Sequence, residues 1–281
     1  MNTSYIQLEI VLPEALHELL IAELTDYDFE GFDQYDTYLI AWIPSTAFDD
    51  VIREDIERIL AKFGKDAYLK SEKTELPKNW NEEWEATIKP MQIGSFYIAP
   101  TWSIGEPPKG FIQLLVDPKM SFGTGYHETT RIMLRMLPEA IKPGISVLDA
   151  GTGTGILAIA AVKLGADSAL AFDIDEWSYE NSQENIVLNE VAEKITVKWG
   201  DGSQIPEGEQ FDVVLANINR NILIDMAELL AATAKSGGKL LLSGLLKDDE
   251  SVILNTSGFS KLTHIRTETE NEWIGMIFSK E

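Results

Sequence analysis

Cysteine is absent from the 281 residues. Structural disulfides and thiolate metal sites are thereby excluded, and the chain suits a reducing compartment. Long apolar runs are missing too. No stretch approaches the roughly 18 apolar residues of a membrane span. The opening Met1-Asn2-Thr3-Ser4-Tyr5 lacks a basic region followed by an apolar run, so no signal peptide is expected and a cytoplasmic location is. Basic charge is scarce. Lys and Arg number 23 against 46 acidic residues, a formal net charge of −23, and no Lys/Arg cluster relieves it. Such a surface repels nucleic acid and attracts a basic protein or peptide, although acidity by itself also favours solubility. Internal repeats and low-complexity tracts are absent as well.

What is there is ordinary for a globular protein. Hydrophobic residues make up 44% and charged residues 25%, enough for a sizeable core without staples. At roughly 100–200 residues per domain, the length suits one large or two modest domains.

Periodicity divides the chain. Ile6, Leu8 and Ile10 alternate as in a strand, and Leu16, Leu19, Leu20 and Leu24 follow Pro13 at helical spacing. Two strand-like runs (29–34 and 37–43), a helical stretch (49–63) and a strand (67–73) complete a β-α-β-β-α-β order. That order matches a ferredoxin-like sandwich over residues 1–75. Residues 76–100, with Trp80, Trp84, Pro77, Pro90 and Pro100, show little periodicity and read as a linker ordered by aromatic packing. Residues 101–281 form the larger domain. From about 143 onward strands and helices alternate, which implies a mostly parallel sheet with helices on both faces. The last two strands, 261–269 and 273–278, are joined too tightly for a parallel crossover and are expected to pair antiparallel.

The sharpest motif is Val147-Leu148-Asp149-Ala150-Gly151-Thr152-Gly153-Thr154-Gly155-Ile156, a buried strand running through a glycine turn into a helix. Glycines there permit tight backbone angles and a close ligand approach. The spacing is G-x-G-x-G, not the G-x-G-x-x-G of dinucleotide sites. Asp149 is placed to orient the turn or to accept a bond from a ligand amine. Asp173 closes the next strand, where an acidic side chain can bind ribose hydroxyls. Asp175 reads as a helix cap. Asp201, after the third strand, reads as a turn aspartate.

Asn217 ends the strand 212–217. In a doubly wound sheet ligands bind beyond the carboxyl ends of strands, so Asn217 belongs to the catalytic edge beside the glycine turn. A second segment, Phe122-Gly123-Thr124-Gly125-Tyr126-His127, leads through Thr129 and Thr130 into a helix. Taken alone, His127 reads as a cap or a hydrogen-bonded histidine before it reads as a catalyst.

The glycine turn resembles the first motif of the class I S-adenosylmethionine-dependent methyltransferases with a Rossmann-like fold. For Asp201 that resemblance implies, equally with the turn reading, a residue that faces an adenine. The Asn217 segment is similar to the Asn-Pro-Pro-Tyr motif of amino-group methyltransferases, with Ile218-Asn219 in place of the prolines, which argues against a nucleic-acid base as acceptor. Trp80, Trp84, the Phe122–His127 run with Thr129-Thr130, Asp149 through Gly155, Asp173-Ile174-Asp175, Ala216-Asn217-Ile218 and Ser243-Gly244 together resemble one family closely. It is the family of methyltransferases that modify large-subunit ribosomal protein eleven. The resemblance implies an α/β Rossmann-like methyltransferase domain behind a small N-terminal α+β domain that grips the substrate protein. It implies S-adenosylmethionine as cofactor and methylation of lysine ε-amino and N-terminal α-amino groups. It implies cofactor contacts at Thr130, Gly151, Asp173 and Asn217, to which the turn adds Asp149, Gly153 and Gly155. Asn217 is the expected catalytic residue. No metal is expected, because the donor is already activated. A monomer with no direct nucleic-acid or membrane partner is expected. The alternatives are a methyltransferase acting on a small molecule or a different protein, and a nicotinamide-dependent oxidoreductase, which the glycine spacing disfavours.

Overall fold

The structure is a computed structural model that describes residues 4–25, 27–75, 88–119 and 121–281. The chain divides into two compact units, Met1–Trp80 and Asn81–Glu281. Trp80 and Trp84 lie outside the described residues, and so does the expectation attached to them.

In the first unit, alternation sets one face of strand β1 (Tyr5–Val11) into the core, where Leu8 and Ile10 are fully buried. Helix α1 (His17–Leu24), strands β2 (Gly31–Tyr35) and β3 (Tyr38–Pro44), helix α2 (Asp50–Lys62) and strand β4 (Tyr68–Glu75) follow. Asp49 starts α2 by accepting the Ile52 N–H at 2.9 Å, a side-chain cap on an otherwise unpaired donor. The sheet runs β2-β3-β1-β4, antiparallel throughout. This is the connectivity expected of the split sandwich.

Among the described residues, the second unit begins with β5 (Met91–Ile93), β6 (Phe96–Ala99) and β7 (Ile112–Leu115), a three-stranded sheet. Residues 91–99 fall in the stretch 76–100 that reads as a linker ordered by aromatic packing. They form a hairpin around Gly94-Ser95, with Ile93, Phe96 and Ile98 buried. The flanking prolines obscured that alternation in the sequence.

Helix α3 (Glu128–Ala140) precedes the large sheet. The sheet is built by β8 (Ser146–Ala150), α4 (Ile156–Lys163), β9 (Ser168–Asp173), α5 (Glu176–Leu188), β10 (Ile195–Trp199) and β11 (Phe211–Asn217). It is completed by α6 (Arg220–Asp225), α7 (Ala227–Thr233), β12 (Ala234–Leu246), α8 (Glu250–Leu254), β13 (Leu262–Glu270) and β14 (Trp273–Lys280). The expected single helix over 222–234 is two, because the backbone leaves helical geometry at Met226 (φ −92°, ψ 1°).

Strand order is β10-β9-β8-β11-β12-β14-β13. The first five strands are parallel, and β14 pairs antiparallel with both β12 and β13, as the short final connection required. Alternate residues of β8 serve opposite faces. Val147 joins a core with α3, α4 and α5, and Leu148 and Ala150 join a core with α6, α7 and α8. Covered on both faces, these strands read as near-continuous apolar runs. The chain winds outward from β8 to β10, then restarts at β11 on the other side of β8. The crevice between β8 and β11 at their carboxyl ends is therefore the topological switch point, where open α/β sheets bind ligands.

Candidate active site

Register aligns the carboxyl ends of the strands. Ala150 of β8 lies opposite Phe172 of β9 and Ala216 of β11, and Asn217 lies opposite Ser243 of β12. The glycine turn, Asp173 and Asn217 thus share one edge.

Gly151 and Gly153 have φ of +71° and +55°, values that a side chain disfavours. Space is a second constraint. A Cβ on Gly151 would overlap the Ile218 side chain, and one on Gly153 would overlap the Phe122 carbonyl. Here glycine is required by the protein's own close packing, before any ligand is considered.

The turn satisfies its own donors. Gly151 and Thr152 N–H donate to the Phe172 carbonyl (2.9 and 3.1 Å), Thr154 N–H to the Phe122 carbonyl (2.9 Å) and Gly155 N–H to the Thr152 carbonyl (2.9 Å). Gly153 N–H donates to Asp173 Oδ2 at 2.9 Å. Pyrophosphate sites instead turn such N–H groups toward the ligand. With all five engaged, this turn offers shape and acidic neighbours, not an anion cradle.

Asp149 is fully buried beneath the turn. Its Oδ2 accepts from Thr152 Oγ1 (2.7 Å) and from the Ala158 N–H (3.2 Å), which pins the turn to the start of α4. Of the two roles left open for it, orienting the turn is the one these bonds perform. Its Oδ1 is buried without a partner. Burial pushes the Asp149 carboxyl up to about 6, against the two bonds that lower it. Asp173 Oδ1 accepts the Asp175 N–H at 3.1 Å, so each oxygen has one bond and a lone pair to spare. Asp175 caps α5 by accepting the Ser178 N–H, as its position suggested. Asp201 accepts the Ser203 N–H, the turn role of its two readings.

Asn217 faces Thr130, the fully buried threonine of α3, with Nδ2 at 3.5 Å from its Oγ1. Asn217 Oδ1 is buried and has no partner. His127 caps α3, its Nδ1 accepting the Thr129 N–H, and its ring packs between Phe122 and Trp273 with centroids 5.1 and 4.7 Å away. Tyr126 is held at its hydroxyl by both backbone groups of Lys89. The structure therefore brings Thr130, Asp149, Gly151, Gly153, Gly155, Asp173 and Asn217 to one end of one sheet. Among the described residues no group of acidic or histidine side chains could hold a metal.

Sequence reading missed a polar stripe. Asn181 and Asn185 of α5 and its C-cap Asn189 recur every fourth residue, so they share one helix face. All three are buried and bond to backbone at Leu115, Asp117 and Thr154. Their spacing was the available signal, because a buried stripe of amides must meet polar groups.

The profile of the ribosomal protein L11 methyltransferase (PrmA) family matches residues 20–281. A ribosomal protein L11 methyltransferase of Porphyromonas gingivalis is 38% identical over 271 residues, covering 95% of this chain and 92% of its own length. One from Chlorobaculum parvum is 36% identical, with 98% and 96% covered. Among solved structures, a ribosomal protein L11 methylase from Lactobacillus delbrueckii subsp. bulgaricus superposes with a TM-score of 0.64 at 29% identity, covering 69% of this chain and all of its own.

Proposed function

The chain belongs to the ribosomal protein L11 methyltransferase family, and from that premise we propose that it transfers methyl groups from S-adenosylmethionine to amino groups of ribosomal protein L11. The acceptors are lysine ε-amino groups and the N-terminal α-amino group. The observation that carries this reading is Asn217 Oδ1, a buried acceptor without a partner at the end of β11, beside the glycine turn.

The residues fit the cofactor. Asp173 would accept the ribose hydroxyls on its spare lone pairs, a charge-assisted contact. Gly151, Gly153 and Gly155 would form the wall that holds the cofactor, with Thr130 and Asn217 as further contacts. Asp149 holds that wall from below and supplies negative charge toward a cationic ligand. The occupied amides at 151–155 argue for a ligand without phosphates and so against a dinucleotide. When bound, S-adenosylmethionine supplies a methyl group activated by its sulfonium for in-line displacement by an amine.

The protein's contribution is placement, which can lower a barrier by roughly 7–11 kcal/mol. The amine must be neutral to attack, and a free lysine holds its proton to a pKa of about 10.4. Seating the amine in an apolar crevice lowers that value. Asn217 Oδ1 accepts an amine N–H and so aims the lone pair. We assign no general base; His127 is engaged as a helix cap. Phe122, half exposed at the crevice, offers a ring face to a growing methylammonium. The ferredoxin-like domain read over residues 1–75 grips the substrate protein. Acidity across the chain suits a basic partner. The enzyme acts as a monomer in the cytoplasm. No helix among the described residues is long and apolar enough to cross a membrane.

The test is an intact-mass measurement on purified L11 incubated with the enzyme and S-adenosylmethionine. L11 should gain mass in whole methyl increments, at lysines and at the N-terminus. An unmodified L11 beside an enzyme that binds the cofactor would assign the reaction to another acceptor.

A further inference from the structure

Thr154 lies within the glycine turn and bonds from there to the Phe122–Gly125 segment. Its N–H donates to the Phe122 carbonyl (2.9 Å) and its hydroxyl to the Gly123 carbonyl (2.8 Å). Its own carbonyl accepts from Asn185 Nδ2 at 2.9 Å. Asn185 returns its oxygen to the Asp117 N–H (2.9 Å), and Asn181 Nδ2 donates to the Asp117 carbonyl (2.8 Å). Asn189 takes both backbone groups of Leu115, at 3.0 and 2.6 Å. Leu115 and Asp117 are therefore fastened to α5 and its C-cap, and Phe122 and Gly123 to the glycine turn. Gly123 and Gly125, at φ of +106° and +88°, leave the Phe122–Gly125 segment conformationally free unless something holds it. Thr154 and Asn185 are both fully buried, so water does not compete for these bonds.

We propose that Thr154 is a positioning residue that locks the Phe122–Gly125 wall to the glycine turn, so that the acceptor side of the crevice is ordered by the turn that carries the donor. The inference rests on the methyltransferase reading above. Removing the hydroxyl leaves the buried Gly123 carbonyl unpaired and frees the wall to relax, while the turn keeps its other bonds. Valine matches the shape of threonine without the hydroxyl, and serine restores the hydroxyl.

Three proteins are compared at a temperature where melting shows each to be folded: wild type, Thr154→Val and Thr154→Ser. Thr154→Val should lose about tenfold in kcat, with Thr154→Ser close to wild type. Amide hydrogen exchange on the wild type gives a readout independent of turnover. Adding S-adenosylhomocysteine should slow exchange at Thr154 and across 122–126 together. Unchanged kcat in folded Thr154→Val would overturn the inference. So would protection of Thr154 with no change at 122–126, and this second result decides the matter even if Thr154→Val does not fold. A wild type that binds no S-adenosylhomocysteine would sink the methyltransferase reading itself, a separable outcome.

Discussion

The two edges of the large sheet carry polar groups of similar chemistry and treat them in opposite ways. At the amino edge, Asp212 Oδ2 accepts from the Ser146 N–H (2.9 Å), Ser146 Oγ (2.8 Å) and Lys235 Nζ (2.8 Å). Burial alone would raise that carboxyl, but Lys235 and Ser146 together outweigh it and hold it at about 2. At the carboxyl edge, Asp149 Oδ1 and Asn217 Oδ1 are buried with no partner, and Asp149 is pushed up to about 6. One edge is closed, with its charges neutralised by its own chain. The other keeps acceptors in reserve, at a cost that a bound cation and an amine would offset. Buried unsatisfied acceptors are rare in native proteins, and here two of them share the edge where sheet topology places a ligand.

Replacing a residue at each edge breaks or sharpens this contrast. The largest effect is expected for Asn217→Ala. It removes the reserved acceptor, and misaiming the amine should slow methyl transfer by about a hundredfold or more. The melting temperature should hardly change, because Asn217 makes one long contact to Thr130. Wild-type initial rates in a folded variant would remove Asn217 from the mechanism.

Asp149→Asn should act on stability in the unusual direction. Native Asp149 keeps its proton up to about pH 6, against an ordinary value of 3.8. Between those values the folded state binds more protons than the unfolded chain. Stability from this group therefore falls as pH rises through that window, and the penalty is complete above it. The amide variant lacks that titration, so its stability relative to wild type should rise as pH climbs from 4 to 7. Its profile between pH 4 and 6 should be flatter in urea unfolding, and its affinity for S-adenosylmethionine should be lower.

The smallest effect is expected at the closed edge. Asp212→Asn should destabilise by about 1 kcal/mol or less, since the pair with Lys235 is screened by solvent. The lowered carboxyl contributes stability above its ordinary value and loses it as pH falls toward 2, so the variant should flatten the acid limb of the unfolding curve. Cofactor affinity should be unchanged. A strong loss of binding would contradict the division between the edges.

Much of this contrast was legible in the sequence, on one side. The glycine turn, Asp173 and Asn217 each end or follow a strand whose periodicity is plain, so strand ends and chemistry could be read together. Strand-helix alternation gave the parallel sheet, and the short final connection gave the antiparallel pair. The contacts between segments distant in sequence were not legible. Nothing local to Gly153 says that the Phe122 carbonyl lies on it, and nothing in Thr154 reveals its two bonds to Phe122 and Gly123. The asparagine stripe on α5 was missed because amides on a helix read as solvent-facing until the strand they meet is known. The hairpin at 91–99 was hidden by prolines that mark its limits and not its interior. Asp212 drew no notice, since a charge that begins a strand looks like any solvated residue until Lys235 is brought beside it by the fold.

The most direct test of the reserved edge is a calorimetric titration of S-adenosylmethionine into the wild type and into Asp173→Asn. The account predicts saturable binding at one site by the wild type, weakened about ten- to a hundredfold by the substitution, because bonds to a charged acceptor are lost. Heat that is absent from the wild type, or equal in the two proteins, would contradict it.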